Sequence, residues 1–193
     1  TITRTVAEDA LGLMRAKGLK CKSITLTAKD KICFMEETEC NPDFCPYAKG
    51  HFDRVNGAIY ELLTNMDNFD RGVIEDCARA HTVCPFELGL DVSLFADVVI
   101  GDYNYLFDPH VYLKRFFSEG VKEEYLFLID EAHNLVDRGR EMYSAVLRKE
   151  DFLAMKKAVK EYDGTISYQL YVCNRQLLEM KRECEDYVYL KRE

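Results

Sequence analysis

An uninterrupted apolar run at residues 126–129 stops abruptly at two adjacent carboxylates, Asp130 and Glu131. Such a run predicts a strand that is buried on both faces, and strands of open α/β sheets present functional side chains at their carboxyl ends. An acid pair at that place is typical of nucleoside triphosphatases, in which one acid holds Mg²⁺ and the other polarises the attacking water. The alternative is an acidic helix N-terminus after a strand, where carboxylates are electrostatically favoured.

The beginning of the chain alternates helix and strand patterns. Thr5 and Glu8 have the spacing of a capping box, and one apolar stripe then runs toward Gly18, which predicts a helix of about three turns. Residues 2–3 are predicted to be the tail of a strand and residues 23–26 to be the next strand. A strand–helix–strand order predicts an α/β fold with a parallel sheet.

Residues 33–84 interrupt that alternation with cysteines and turns. An apolar stripe from Phe52 to Leu62 predicts a helix within this segment, and residues 64–72 are polar and turn-rich. The segment contains few large apolar side chains, which favours a metal ion or cluster as an additional constraint on its fold.

After residue 85 the pattern returns to strands and helices and then becomes wholly helical. Three short elements are predicted: a buried strand at 96–101, an aromatic turn at 103–107 and a helix at 109–117. From Asp151 onward, two apolar stripes flank the turn Asp163-Gly164, and the second stripe extends to Val188. These stripes predict two helices that pack as an antiparallel pair.

Charge is distributed unevenly along the chain. The formal net charge is −8, yet residues 1–32 carry +4, residues 33–84 and 85–140 carry −6 each, and residues 141–193 are neutral. An acidic chain does not bind nucleic acid indiscriminately, so residues 1–32 are the best electrostatic candidate for such contacts. The sequence has no membrane-length apolar run and no secretory h-region, and it begins without Met; we expect a cytoplasmic protein without a membrane partner, cut from a longer chain.

Six of the eight cysteines lie before residue 85. Without a secretory signal, they indicate metal ligands or buried small side chains rather than disulfides. Cys40 and Cys45 form one tight pair, while Cys33 and Cys84 approach from far along the chain, and such loose spacing suits a cubane iron–sulfur cluster better than one zinc ion. Zinc and buried reduced cysteines are the alternatives, and Cys77 could supply a different fourth ligand. The other cysteines are predicted to lie in the core: Cys21, Cys173 and Cys184.

Aromatic residues follow the predicted strand at 96–101. Bases of any sequence stack on aromatic faces, and each stacked base contributes on the order of 1–3 kcal/mol. Tyr103 is the most open of these residues, and Asn104 could bind phosphate or cap the following helix. Tyr105 and Phe107 are predicted to lie in the core.

Several of these features occur together in an order that resembles a known family. They are the cysteines at 33, 40, 45 and 84, Cys-Pro-Phe at 84–86, Gly-Asp-Tyr-Asn-Tyr-Leu-Phe-Asp-Pro at 101–109, and Asp-Glu-Ala-His-Asn at 130–134. Asp-Glu-Ala-His is the motif II spelling of superfamily 2 helicases. Over roughly residues 1–140, the chain resembles the iron–sulfur DNA helicases related to XPD and DinG.

The resemblance implies an α/β fold with a partial RecA-like parallel sheet, an inserted cysteine-rich Fe–S domain and a C-terminal helical arch segment. Residues 1–32 and 85–140 would belong to the first motor domain, residues 33–84 to the Fe–S domain and residues 141–193 to the arch. The implied activity is ATP-dependent translocation on single-stranded DNA and unwinding of forked DNA, by an enzyme that is a monomer in its full-length form.

The resemblance also assigns roles to the paired acids and the cysteines. Asp130 would serve Mg²⁺, Glu131 would orient the hydrolytic water, and His133 would couple the nucleotide site to the DNA site. The ligands of a [4Fe-4S] cluster would be Cys33, Cys40, Cys45 and Cys84.

The DNA-binding residues implied by the resemblance lie in two parts of the chain. Arg4 and Thr5 belong to a segment that resembles the family's motif Ia, which touches the DNA backbone. Lys29 lies four residues before Cys33, where the family often has an arginine near the cluster and the DNA. The alternative for Lys29 is a solvated loop lysine.

The chain departs from the family pattern in two ways. It has no Gly-x-x-x-x-Gly-Lys-[Ser/Thr] loop to cradle phosphates, so ATP and Mg²⁺ are expected in the full-length protein and this chain alone is expected to be inactive. Its cysteine-rich segment is acidic, so a DNA-facing surface would require the basic residues to be grouped on one face: Lys49, Arg54, Arg71 and Arg79. A non-catalytic nucleic-acid-binding module, stabilised by zinc or a cluster, is the alternative function.

Overall fold

The computed structural model describes residues 2–117 and 124–184. Its contacts divide the chain into two compact units, Thr1–Met142 and Tyr143–Glu193. None of the helices in the described ranges combines the length and apolar character needed to cross a membrane.

The first unit contains a three-stranded parallel sheet in the order β2-β1-β3. The strands are β1 (Ser23–Thr25), β2 (Asn68–Phe69) and β3 (Val98–Ile100). Ser23 in the central strand is paired with Asn68 on one side and with Val98 on the other. The α/β class, the parallel pairing and two of the strands are as predicted. The sequence pattern does not predict β2, because it lies in the polar, turn-rich stretch at 64–72.

Helices precede, connect and follow the three strands along the chain. The predicted helix after Thr5 is longer than expected, since α1 also includes residues 2–3, which were expected to be a strand tail. The helices are α1 (Ile2–Ala16), α2 (Lys29–Ile32), α3 (His51–Asn65), α4 (Arg71–His81), α5 (Pro85–Ser93), α6 (Asn104–Phe107), α7 (Lys114–Phe117) and α8 (Leu135–Met142), the last preceded by a 3₁₀ turn at Ala132–Asn134.

The hydrophobic core of the first unit includes residues of the sheet and of the cysteine-rich segment. Ile24 of β1, Phe69 of β2, Ile74 of α4 and Leu88 of α5 are all almost completely buried in one cluster. Burial of each such side chain contributes roughly 1.5–3 kcal/mol to folding. The segment at 33–84 therefore shares its core with the sheet, which explains how it folds with few large apolar residues of its own.

The predicted buried strand at 126–129 is wrong. These residues form no strand, and the side chains of Leu126 and Leu128 are 87% and 90% exposed. A strand is stabilised by hydrogen bonds to a neighbouring strand, and in the described part of the chain the sheet pairs only β1, β2 and β3. Without a neighbouring strand to pair with, the apolar run forms no strand and stays largely exposed.

The helix predicted at 109–117 is shorter than expected and is limited to α7. Asp108 accounts for the late start, because its side chain and carbonyl oxygens accept hydrogen bonds from the backbone N–H groups of His110, Val111 and Tyr112. Asx turns of this kind compete with helix formation.

The second unit contains the predicted helical pair, α9 (Lys149–Val159) and α10 (Gly164–Arg182), which pack against each other. Asp163 caps α10, because its carboxylate accepts hydrogen bonds from the backbone N–H groups of Thr165 and Ile166. Val188 lies outside the described residues. The cysteines predicted to be in the core are only partly buried: Cys21, Cys173 and Cys184.

Candidate functional site

Lys29 lies among three of the predicted cluster ligands. The last turn of α2 leads directly into Cys33, whose backbone N–H donates a 3.0 Å hydrogen bond to the carbonyl oxygen of Lys29. The Lys29 ammonium hydrogen-bonds Cys40, and this contact raises its pKa, as do the nearby Cys84 and Glu87, against the opposing effect of burial. A cation thus lies beside thiols from distant parts of the chain.

Cys84 occupies the N-cap position of α5, directly before Pro85 at the first helical position. Burial raises the pKa of its thiol, while the backbone amides of Glu87 and Phe86 act in the opposite direction. A helix N-terminus favours negative charge, so this position suits a thiolate ligand once a metal compensates for its burial.

Cys45 and Cys84 are connected through His51, a residue that the sequence did not indicate. Cys45 is buried in a turn, where its carbonyl oxygen accepts hydrogen bonds from the backbone N–H groups of Ala48 and Lys49. His51 follows this turn, and its Nδ1 accepts a 3.2 Å hydrogen bond from the backbone N–H of Cys84. The His51 ring therefore holds the start of α5 against the cysteine loop.

The other ring nitrogen of His51 is buried and has no hydrogen-bond partner among the described residues. Nε2 lies 4.0 Å from Oδ2 of Asp91, which is also paired with Arg115. Burial lowers the pKa of His51; the charge of Glu87 opposes this shift, and Arg54 and Arg115 add to it. His51 is thus neutral at pH 7, with its proton on Nε2, because Nδ1 is occupied as an acceptor.

The four predicted ligands are chemically suited to an anionic cluster. All are free thiols, and they come from the end of α2, the following loop and the start of α5. In the described residues, no three of them have sulfur atoms within 4.8 Å of one another. Thiolates ligate both iron–sulfur clusters and zinc, so the donor atoms suit either kind of centre.

Three of the four basic residues of the cysteine-rich segment, Arg54, Arg71 and Arg79, make contacts within the first unit, while Lys49 is exposed. Arg54 donates hydrogen bonds to the carbonyl oxygens of Lys49, His81 and Thr82. Arg71 bonds Glu75 and the Lys31 carbonyl, and Arg79 pairs with Glu75 and stacks 4.0 Å from the centroid of the Phe34 ring. These arginines stabilise the segment internally.

The other predicted DNA-binding residues lie on α1 and directly after β3. Arg4 bonds the carbonyl oxygen of Leu26 and lies 3.9 Å from Asp102, so its guanidinium is tethered to the sheet edge, whereas Thr5 is exposed. The side chain of Asp102 also accepts a hydrogen bond from the backbone N–H of Asn104, which begins α6. Arg4 therefore has a structural contact that the sequence did not indicate.

Tyr103 and Tyr105 have different environments at this edge. Tyr105 packs against the core as predicted, and burial raises the pKa of its phenol. Arg138 of α8 hydrogen-bonds Glu141 and Tyr103, and both partners raise the pKa of its guanidinium. Because α8 follows the paired acids in the chain, this contact connects the acid-bearing segment to the loop after β3.

The paired acids and His133 lie together in one exposed turn. The backbone N–H of Glu131 donates a 2.8 Å hydrogen bond to Oδ1 of Asp130, and Nε2 of His133 lies 3.3 Å from Oε2 of Glu131. Glu131 has a left-handed backbone with φ of 52°, which is unusual for a residue with a side chain and is found at functional turns. The three side chains are close to one another but exposed rather than seated at a strand end.

A second side-chain cluster lies between α3 and α4. It consists of Glu61, Cys77 and His81, whose ligand atoms all lie within 4.8 Å of one another. Cys77 was considered as a ligand of the cysteine centre, but the sequence did not indicate Glu61 or His81 as its partners. The available signal was the Cys-x-x-x-His spacing, which places both side chains on one face of a helix.

Comparisons with known proteins agree with the motifs. A family model described as DEAD_2 matches residues 15–152. The regulator of telomere elongation helicase 1 homolog of Anopheles gambiae is 38% identical over 143 residues, which cover 67% of this chain and 14% of that protein. The corresponding homolog of Oryza sativa subsp. japonica is 26% identical over 145 residues, covering 69% of this chain and 14% of that protein.

The chain thus spans a small part of the length of both relatives, while the family model spans most of the chain. The match includes the cysteine-rich segment, the β3 edge and the paired acids. This chain belongs to the DEAD_2 family, the XPD-like iron–sulfur helicases of superfamily 2.

Proposed function

We propose that this chain is part of an ATP-dependent DNA helicase that couples ATP hydrolysis to translocation on single-stranded DNA and to unwinding of forked DNA. The observation that carries the proposal is the position of Lys29, whose carbonyl oxygen accepts a hydrogen bond from the Cys33 amide and whose ammonium lies 5.7 Å from the centroid of the Phe86 ring, two residues after Cys84. A lysine beside the cysteine centre supports the proposal for a chain from this helicase family, because its positive charge attracts DNA phosphates.

The cysteine centre is proposed to hold a [4Fe-4S] cluster through Cys33, Cys40, Cys45 and Cys84. Residues 33–84 would then form an Fe–S domain inserted between two parts of the first motor domain, 1–32 and 85–140, and residues 141–193 would begin the arch. When bound, the cluster supplies a covalent link between segments that are distant in sequence. Lys29 balances part of the negative charge of the thiolates, and the amides at the start of α5 favour charge on Cys84.

The nucleotide chemistry is proposed for the whole protein, with ATP and Mg²⁺ as its cofactors. These 193 residues contain no phosphate-cradling loop. Asp130 would bind Mg²⁺, Glu131 would orient the attacking water, and His133, at 3.3 Å from Glu131, would transmit the state of the nucleotide to the DNA site. The exposed apolar run before these acids would be covered when it joins the sheet of the complete motor.

The DNA path is proposed to follow the positively charged N-terminal residues and the β3 edge. Thr5 and Arg4 would contact the phosphate backbone, Tyr103 would stack on a base, and Asn104 would bind phosphate. Arg4 would do this while it remains anchored to Leu26.

The cluster is tested by measuring iron, acid-labile sulfide and zinc in the 193-residue chain purified without oxygen. About four irons and four sulfides per chain are expected, as a cubane requires. Cys84→Ser should lose both, whereas Cys173→Ser, a half-buried cysteine of the second unit, should retain them. Zinc that disappears with Cys84→Ser, in a chain without sulfide, would favour the alternative, a zinc-stabilised binding module.

The helicase activity is tested in the full-length protein with Glu131→Gln. Loss of the group that orients water should lower the ATPase rate by on the order of 10²–10⁴-fold, while binding of single-stranded DNA persists. Glu124→Gln is the matched control, because Glu124 is an exposed acid just before the same run. An ATPase rate that Glu131→Gln leaves unchanged would refute the assigned role.

A further inference from the structure

Glu61, Cys77 and His81 form a compact group on the side of the α3–α4 pair. Glu61 comes from α3, and Cys77 and His81 are one helical turn apart on α4. Their ligand atoms all lie within 4.8 Å of one another, and Nε2 of His81 is 2.7 Å from Oε2 of Glu61. Within the described ranges, no other group of three or more such residues is this compact.

Contacts between α3 and α4 hold the backbone around Glu61, Cys77 and His81 in place. Helices α3 and α4 pack against each other, and the Cys77 thiol lies 3.6 Å from the carbonyl oxygen of Ala58 on α3. Arg54 of α3 bonds the carbonyl oxygens of His81 and Thr82 at the end of α4. The helices are therefore fixed relative to each other on both sides of the cluster.

The chemical nature of the donors selects the kind of ion. A thiolate sulfur, an imidazole nitrogen and a carboxylate oxygen are the ligands that Zn²⁺ takes in proteins, whereas Mg²⁺ and Ca²⁺ prefer oxygen alone. Cys77 is buried, His81 is half-buried and Glu61 is exposed, so the group is closed on the core side and open to solvent on the other. Three protein ligands and one open position is the arrangement of many tetrahedral zinc sites.

We propose that Glu61, Cys77 and His81 bind one Zn²⁺ ion, with water as the fourth ligand. This site is separate from the cysteine centre, because it uses none of the residues assigned there. It holds whether or not the cysteine centre contains a cluster.

Charge and protons balance in the binding step. Burial raises the pKa of the Cys77 thiol to about 11, and the charge of Glu61 adds to this effect, so the thiol is protonated when no ion is bound. On binding, Cys77 releases its proton to solvent, a sulfur–zinc bond forms, His81 binds through a ring nitrogen that carries no proton, and the ion gives up all of its waters but one. The charges of the thiolate and the carboxylate then neutralise those of the ion, which removes the cost of a buried thiolate.

Zinc content of variants that keep all four cluster cysteines provides the test. The 193-residue chain is purified without oxygen, incubated with excess Zn²⁺, desalted and assayed for zinc, iron and sulfide. The wild type should retain one zinc per chain more than Glu61→Gln, Cys77→Ser or His81→Ala, with iron and sulfide equal in all. His110→Ala, which removes an exposed histidine, should retain zinc as the wild type does. Equal zinc in the wild type and the three variants would overturn the proposal and leave a His81–Glu61 ion pair beside a core cysteine.

Co²⁺ as a spectroscopic probe distinguishes this site from zinc bound by the cluster cysteines. In wild type, one equivalent of Co²⁺ should give a sulfur-to-cobalt charge-transfer band of one-thiolate intensity that Cys77→Ser abolishes and Cys84→Ser retains. A band that depends on Cys84 and not on Cys77 would contradict the proposal. Glu61→Gln keeps the result interpretable if substitution of the buried cysteine impairs folding, because Glu61 is exposed and its replacement has the same size.

Discussion

The backbone N–H of Cys84 donates a 3.2 Å hydrogen bond to Nδ1 of the buried His51. The two residues are separated by 33 positions in the chain, and the bond joins the first residue of α3 to the residue that caps α5. His51 thereby positions a proposed cluster ligand without being one. It also satisfies a backbone donor that burial would otherwise leave unpaired.

His51→Ala should destabilise the chain by about 1–3 kcal/mol, because the amide of Cys84 loses its acceptor in a buried position. Urea denaturation followed by circular dichroism measures this change. His110→Ala is the control, since His110 is exposed, and it should stay within about 0.5 kcal/mol of the wild type. Equal effects of the two substitutions would show that the His51–Cys84 bond contributes little.

His51 should also make the stability of the chain depend on pH. Its pKa in the folded chain is below its ordinary value of 6.5, mainly because of burial, so the unfolded state binds the proton more readily. The contribution of the neutral ring is therefore fully present above pH 6.5 and is lost as the pH falls from 6.5 toward the folded pKa. Unfolding free energies of wild type and His51→Ala, measured from pH 7.5 to pH 5, should converge at the acidic end. A constant difference in unfolding free energy between wild type and His51→Ala across this range would contradict the lowered pKa of His51.

The sequence predicts elements whose pattern is local and misses those that depend on distant partners. Helix α3 is predicted because its apolar stripe has helical periodicity. Residues 23–26 are predicted to form a strand because their own residue types are typical of one. α5 contains Gly89, which disfavours helices, and forms because Leu88 and Val92 are buried. The run at 126–129 has the composition of a strand, but no strand pairs with it in the ranges that the structure describes.

The same distinction applies to the candidate site. Cysteine spacing and the resemblance indicate which thiols to consider, because those signals lie in the residues themselves. Neither His51 nor the anchoring of Arg4 has a local signature, since each acts on a group more than 20 residues away. Glu61 likewise gains its role only when α3 and α4 pack together.

Lys29→Ala should weaken binding of single-stranded DNA and reduce the salt dependence of that binding. Lys29 is charged at neutral pH as an ordinary lysine is, and loss of one phosphate contact should reduce the slope of log K against log salt by about 0.7. Lys31→Ala is the matched control, because Lys31 is an exposed lysine on the same short helix. Fluorescence anisotropy at several salt concentrations measures both slopes. A change of equal size in Lys31→Ala would indicate general electrostatics rather than a specific contact.

Gly50→Ala should destabilise the cysteine loop by about 1–2 kcal/mol. Gly50 has φ of 68°, and a Cβ there would lie 2.6 Å from Nη1 of Arg54. Gly12→Ala is the contrasting substitution, since Gly12 lies within α1 with nothing within 4 Å of the added carbon. It should stabilise the chain by roughly 0.5–1 kcal/mol. Thermal unfolding measures the stability of both variants, and a change of the same sign in both would contradict the prediction.

Arg4→Ala should cost about 1 kcal/mol of stability, because the carbonyl of Leu26 and the carboxylate of Asp102 lose their partner. Thr5→Ala, at an exposed position beside it, should be nearly neutral for folding. If Thr5→Ala nevertheless weakens DNA binding, then Thr5 contributes to DNA contact while the adjacent Arg4 contributes to folding. Chemical denaturation and DNA titration of the same samples provide the comparison; a neutral Arg4→Ala would contradict the anchoring role.

For the DNA binding proposed above, the internal contacts of Arg54, Arg71 and Arg79 have a consequence for the side from which DNA would approach. Arg71 and Arg79 pair with Glu75 and Arg54 bonds backbone carbonyls, and the cysteine-rich segment at 33–84 keeps a formal charge of −6 from 4 basic and 10 acidic residues. A polyanion approaching from that side is repelled, and the repulsion extends about 10 Å at 0.1 M salt. The acidic segment would thus repel a DNA strand that approaches it and favour approach from the side of Lys29. The direction of encounter, and not only the affinity, would then determine how the strand binds.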